Sequence, residues 1–194
     1  MIPYGRHYLD DADVEAVVDV LRRGPLTQGH HIEAFERSVA EYVGVKYAVA
    51  VSSGTAALHM AAKCLDLNEE SLLVTSPITF VATSNAALYV GAKVTFADVD
   101  PSTINIDPVC LDNILSGSHG CKNTAIFPVH YAGLPCDMHA IKAVADKYGS
   151  VIVEDAAHAL GARYPSGSMV GSCEYSSMTI FSFHPVKAIA AGEG

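Results

Sequence analysis

Three short stretches carry residues able to do chemistry. "SSGT" (Ser52–Thr55) opens a run of small, helix-forming residues. A helix start presents unpaired backbone N–H groups and the positive end of the helix dipole. Hydroxyls at Ser53 and Thr55, with Gly54 allowing close approach, suit a phosphate; they equally suit plain helix capping. "VIVEDAAH" ends an apolar run in Glu154 and Asp155, with His158 three residues further on. Adjacent carboxylates are not buried without partners. Asp155 is placed either to hold a protonated ring nitrogen or to cap a following helix. Lys187 comes after the apolar run "MTIFSF" in small-residue surroundings with hardly any charge nearby. An amine is a nucleophile or proton carrier only when neutral, and burial favours that form. The competing reading is an exposed loop lysine.

Together the three stretches say more than each alone. A phosphate cradle, a carboxylate and a lysine, each following a strand, are what pyridoxal 5′-phosphate (PLP) requires. Its phosphate needs a helix N-terminus, its pyridine nitrogen an anion, and its aldehyde a lysine. The GxGxxG and GxxxxGK[ST] patterns are absent, which counts against a dinucleotide or P-loop site. No metal site is expected, because Asp155 and His158 lack further ligands at suitable spacing.

The elements that position these residues alternate in type. Val14, Val17, Val18 and Leu21 fall at helical spacing after Asp10 or Asp11 as N-cap, and Gly24-Pro25 stops that helix. A second helix carries Ile32, Phe35, Val39, Tyr42 and Val43 and ends at Gly44. From there "YAVAV", "SLLVTS", "KVTFADVD", "TAIFPVHY", "SVIVEDAA" and "SMTIFSF" read as strands. Between them "GTAALHMAAKCL", "FVATSNAALYVG", "PVCLDNIL" and "DMHAIKAVADKYG" read as helices. The pattern predicts a three-layer α/β/α domain with a mostly parallel sheet. Residues 1–45 form its N-terminal helical segment and 46–194 its α/β core. Ligands of such sheets bind outside the carboxyl ends of the strands, where the three stretches fall.

Bulk properties narrow the setting. Half of the 194 residues are hydrophobic, enough for a sizeable core. Mean hydropathy is +0.26, yet no apolar run approaches the roughly 18 residues of a membrane span. The start has no apolar stretch of signal-peptide length, so a cytoplasmic location is expected. A net charge of −9 disfavours nonspecific binding to nucleic acid or anionic membrane. Five cysteines without a CxxC pair suggest a reduced protein without a disulfide framework.

The ordered series "SSGTAALH", "PITFVATSNAALYVGA", "DVD", "NID", "EDAAHALGA", "FSFHPVK" and "GEG", with "LTQG" and "HYAGLPCDM", resembles the DegT/DnrJ/EryC1/StrS family of sugar aminotransferases. The resemblance covers essentially the whole chain. It implies the large domain of a fold-type-I PLP-dependent transferase. Lys187 is similar to the family's cofactor-binding lysine, and Asp155 to the partner of the pyridine nitrogen. His158 matches the position that hydrogen-bonds the ring hydroxyl, where many members have Gln. Ser53, Gly54 and Thr55 match the phosphate cradle, Ser182 a further phosphate contact, and Phe80 the aromatic that stacks on the ring. Members with histidine in place of the lysine are dehydratases, so Lys187 implies a transaminase. Within the family the likeness is to members that aminate C4 of a UDP-linked 4-keto-6-deoxy-N-acetylhexosamine on the route to pseudaminic acid, with glutamate as donor. The resemblance also implies a homodimer, and a chain that corresponds to an N-terminal part of that large domain, inactive without the rest of it and the small domain that follows. Arg6, Arg22 and Arg23 are the few basic candidates for a UDP diphosphate.

Overall fold

The computed structural model describes residues 7–118 and 121–192. Arg6 and the last two residues of "GEG" therefore lie outside the described residues. Five parallel strands form one sheet in the order β2-β1-β3-β4-β5. They are β1 (Ser71–Thr75), β2 (Lys93–Phe96), β3 (Asn123–Phe127), β4 (Val151–Asp155) and β5 (Met178–Ile180). Among the described residues six α-helices accompany them: α1 (Asp11–Arg23), α2 (His30–Val43), α3 (Gly54–Cys64), α4 (Ala82–Leu88), α5 (Pro108–Ser116) and α6 (Met138–Tyr148).

Strand alternation divides the core into two layers. Leu72, Val74, Ile126 and Ile152 pack with Leu111, Leu115, Ile141 and Ala145 of α5 and α6. Their neighbours Leu73, Ala125, Phe127, Val153 and Ile180 pack with Leu58, Ala61, Ala62, Ala82 and Ala86 of α3 and α4. Both sheet faces are thus covered, as an apolar parallel sheet requires. Each fully buried Leu, Ile or Phe contributes about 1.5–3 kcal/mol relative to exposure. Small residues on α3 and α4 let those helices lie close to the sheet.

Helix ends follow local chemistry. Asp10 caps α1 in a reciprocal box with Asp13, each carboxylate accepting the other's backbone N–H at 3.1 Å. Asp107 caps α5 ahead of Pro108, and Asp137 caps α6. Gly44 and Gly149 close α2 and α6 in the left-handed conformation.

One expectation needs correction. "YAVAV" (47–51) is no strand. A strand is defined by its neighbour, and no described strand pairs with this segment. The Ala50 N–H donates instead to the Glu36 carboxylate at 2.8 Å, and Tyr47 and Val49 are each 73% exposed. Helix α1 forms, but its apolar stripe is uncovered: Val14, Val17 and Leu21 are all exposed. Among the described residues, no helix is long and apolar enough to cross a membrane.

Candidate active site

The carboxyl ends of β4 and β5 and the start of α3 meet at one edge of the sheet. At α3, Ser53 is extended, and its Oγ accepts the Ala56 N–H at 3.1 Å. Capping is therefore real, and it leaves the serine O–H free to donate. The N–H groups of Gly54 and Thr55 have no acceptor among the described residues. A Cβ on Gly54 would stand 3.3 Å from Ser182 Cβ and 3.6 Å from its Oγ. The bare Cα thus brings the helix start against Ser182, just beyond β5. These donors form an anion cradle of the kind a phosphate fits.

Asp155 ends β4 and is 4% exposed. Its Oδ2 accepts the Thr83 hydroxyl at 2.6 Å and its Oδ1 the Ala157 N–H at 3.2 Å. A tight turn follows, in which the Ala159 N–H donates to the Ala156 carbonyl at 2.8 Å. That turn brings His158 round, so that His158 Nε2 lies 2.8 Å from Lys187 Nζ. Lys187 itself sits in a turn closed by its N–H donating to the His184 carbonyl at 2.8 Å. Desolvation pushes the Lys187 ammonium below the usual lysine range, against an opposing pull from Asp155. Desolvation, then the nearby Lys187, push His158 down, again opposed by Asp155. A cavity of about 310 Å³ opens here, lined by Tyr131, Ala132, His158, Val186, Lys187 and Ala188.

The structure thus brings Asp155, His158 and Lys187 together, and joins Gly54 to Ser182. Phe80 is 72% exposed in the loop before α4. It is tied to the site only through its backbone, whose carbonyl accepts the Thr83 N–H at 3.1 Å. Arg22 and Arg23 end α1; Arg23 pairs with Asp19 at 3.1 Å on the surface, so it is not drawn into the site. Among the described residues, no group of three or more His, Cys, Asp or Glu is arranged to hold a metal.

Three features went unread in the sequence. Thr83 is one; it lies in the first turn of α4, four residues after Thr79 of the preceding loop. The turn Tyr131–Gly133 is another, inside "HYAGLPCDM". The third is the surroundings of Glu154, which strand alternation turns away from Asp155. Glu154 is fully buried. His130 Nε2 (2.8 Å) and the Tyr164 hydroxyl donate to its Oε2, and Ser176 and Thr179 hydroxyls to its Oε1. His130 Nδ1 accepts the Cys136 N–H at 3.1 Å, so the ring proton facing Glu154 is on Nε2. The His130 N–H in turn donates to the Asp155 carbonyl at 3.1 Å. A saturated buried carboxylate therefore stands behind the one that faces the site.

Comparison with known proteins identifies the family. The model of the DegT/DnrJ/EryC1/StrS aminotransferase family matches residues 7–194. The chain is 40% identical over 193 residues to the spore coat polysaccharide biosynthesis protein SpsC of Bacillus subtilis, covering 100% of this chain and 48% of that protein. It is 40% identical over 198 residues to the UDP-4-amino-4,6-dideoxy-N-acetyl-beta-L-altrosamine transaminase of Campylobacter jejuni, covering 100% of this chain and 50% of that one. Among solved structures, the PLP-form of Spr1654 from Streptococcus pneumoniae superposes with a TM-score of 0.90 at 29% identity, covering 100% of this chain and 51% of that one. The chain spans about half the length of the curated relatives it matches. With the family's model matched across every described element, and Lys187, Asp155 and the α3 cradle gathered at one sheet edge, the chain belongs to the DegT/DnrJ/EryC1/StrS aminotransferase family.

Proposed function

We propose that the complete protein is a PLP-dependent aminotransferase that moves an amino group from glutamate to a nucleotide-linked keto sugar. The preferred acceptor is the C4 ketone of a UDP-linked 4-keto-6-deoxy-N-acetylhexosamine, on the route to pseudaminic acid. The observation that carries the reading is the Lys187–His158 contact at 2.8 Å, beside Asp155 and within a cavity. The residues fit the cofactor: the cradle at Gly54 would be filled by a Cβ, and buried Asp155 has acceptor capacity left after two donors. In this reading residues 1–45 are a helical segment attached to the α/β core of 46–194.

Bound there, PLP would supply an electrophilic aldehyde and a ring able to accept electron density. The chain's own residues do the rest. Ser53 O–H and the Gly54 and Thr55 N–H groups hold the phosphate, with Ser182 beside them. Asp155 keeps a proton on the ring nitrogen. Phe80, with its exposed ring, covers one ring face. Lys187 holds the aldehyde, and its amine, once free and neutral, takes a proton from the donor's Cα and returns one to the sugar carbon. His158 Nε2 accepts a hydrogen bond from Lys187 and orients the amine.

A second reading differs only in the acceptor. The equal 40% identity to a spore coat polysaccharide protein favours another nucleotide-linked keto sugar, aminated at C3 or C4. A homodimer is also proposed; the exposed apolar residues Phe80, Val81, Leu88 and Tyr89 suit a surface covered by a second copy. The test uses the complete protein, purified with PLP. Borohydride reduction should leave a cofactor adduct that maps to Lys187 by mass spectrometry. Glutamate and the UDP-4-keto sugar should yield 2-oxoglutarate and the amino sugar. An adduct at another lysine, or amination of free keto acids alone, overturns the proposal. Turnover of a different nucleotide-linked keto sugar selects the second reading.

A further inference from the structure

Two adjacent carboxylates, Glu154 and Asp155, are both buried, yet they are satisfied differently. Glu154 receives four hydroxyl or ring donors, two on each oxygen. Asp155 receives two, one on each oxygen. A carboxylate has about four lone-pair sites. Asp155 is therefore the one with room for a further donor, and the direction in which it offers that room depends on what fixes its rotation.

Among the described residues, one side chain does so. Thr83, on α4, is fully buried, and its hydroxyl lies 2.6 Å from Asp155 Oδ2. The local alternative is the usual helix back-bond: the same oxygen lies 3.1 Å from the Phe80 carbonyl. A hydroxyl has one proton. The shorter contact to an anion takes it, since hydrogen bonds to charged groups are about twice as strong as neutral ones. The Thr79 hydroxyl, in the loop before α4, lies 2.8 Å from Thr83 Oγ1. With the Thr83 proton committed to Asp155, Thr79 is the donor of that pair. The result is a relay, Thr79 to Thr83 to Asp155, starting beside Phe80.

We propose that Thr83 is a positioning residue for Asp155: its hydroxyl pins Oδ2 and so aims Oδ1 at the ligand crevice, and Thr79 holds Thr83 in that role. This rests on the PLP reading above, in which the crevice ligand is the pyridine N–H. Without the Thr83 hydroxyl the carboxylate keeps one donor among the described residues, the Ala157 N–H on Oδ1, so its rotation is less fixed and it holds the ring proton less well.

The experiment loads the complete protein and its variants with PLP labelled with 15N at the pyridine nitrogen. The 15N chemical shift reports ring protonation directly, independent of turnover. The parent should show a protonated ring nitrogen. Thr83→Val, equal in shape, should lose that proton about one pH unit lower than the parent. Thr83→Ser, which keeps the hydroxyl, should follow the parent. Thr83→Ala serves as the hydroxyl-free variant if the valine protein does not fold. A valine or alanine protein that titrates with the parent overturns the role of Thr83 and leaves the PLP reading standing. Equal shifts in the serine and valine proteins also overturn it, since packing would then be the cause. A parent that takes up no PLP overturns the reading itself and this inference with it.

Discussion

Lys187 Nζ and His158 Nε2 stand 2.8 Å apart, and each group is shifted toward its less charged form. Desolvation is the larger cause for each. The Lys187 ammonium donates to a neutral imidazole whose proton is then on Nδ1. The amine should therefore react at lower pH than the exposed lysines Lys63, Lys93 and Lys122. Competitive acetylation of the cofactor-free protein across pH 7–11, read by mass spectrometry, checks this; an inflection for Lys187 shared with those lysines would refute it. The linkage sign is fixed as well. A lysine with a lowered folded pKa makes the unfolded state bind more protons between the two values. Lys187→Met should thus be stabilised relative to the parent below that window, with the difference closing as pH rises through it.

Gly133 tests how the cavity wall is held. Its φ is +89°, next to Ala132 at +51°, and a Cβ there would meet the His158 carbonyl oxygen at 2.9 Å. That oxygen is backbone and has little freedom to move. Gly44 is the control: its φ is +82°, but nothing lies within 4 Å of its would-be Cβ. Gly44→Ala should cost about 1–2 kcal/mol, the left-handed penalty alone. Gly133→Ala should cost about 1–3 kcal/mol more, the range of local strain, and should also weaken PLP uptake by displacing His158. Urea unfolding and a spectrophotometric PLP titration measure the two effects. Equal stability losses with unchanged PLP affinity would show that the turn is not seated on His158.

The acid limb of stability should run through Glu154. Burial pushes this carboxyl up, but hydrogen bonds from His130, Ser176 and Tyr164 more than offset it and hold it below its ordinary value of 4.5. A carboxylate with a depressed folded pKa stabilises the fold above its unfolded pKa, and that stability is lost as pH falls through the folded value. Glu154→Gln keeps the shape and removes the charge. At pH 7 it should cost about 1.5–3 kcal/mol, the range for hydrogen bonds to a charged group. The gap to the parent should narrow below pH 4.5. A parent whose advantage over the variant instead grows as pH falls from 7 toward 4.5 would mean that Glu154 is already protonated in the folded protein.

The sheet was legible because a parallel strand covered on both faces must be a continuous apolar run. "SLLVT" reads that way, and all five residues are buried. "YAVAV" reads the same way and is not a strand, because a run of letters does not show whether a neighbour exists. Asp155 and Ser53 were legible because strand ends and helix starts are where an open α/β sheet puts ligands. Thr83 was not, since its partner lies 72 residues away and only folding joins them. The His130–Glu154 contact was hidden for the same reason: "VEDA" shows two carboxylates without saying which one is saturated.

Gly54 separates stability from cofactor binding by sign. It is the first residue of α3 and has an ordinary negative-φ backbone, so alanine suits its conformation. Gly→Ala inside a helix gains up to about 1 kcal/mol, with less expected at the first position. The new methyl would touch Ser182 Cβ at 3.3 Å, a contact that Ser182 relieves only by shifting a few tenths of an ångström. It would also occupy the space through which the Gly54 and Thr55 N–H groups reach an anion. Stability of the cofactor-free protein should therefore hold or rise, while PLP affinity falls. Losing one charge-assisted hydrogen bond costs about 1.5–3 kcal/mol, so the PLP dissociation constant should rise about tenfold or more. Thr55→Val, which removes a hydroxyl without adding bulk, should weaken PLP without the gain in stability. Urea unfolding of the apo proteins and PLP titration of each variant supply the two axes. If Gly54→Ala binds PLP as tightly as the parent, the α3 start is a capped helix end and the phosphate is held elsewhere.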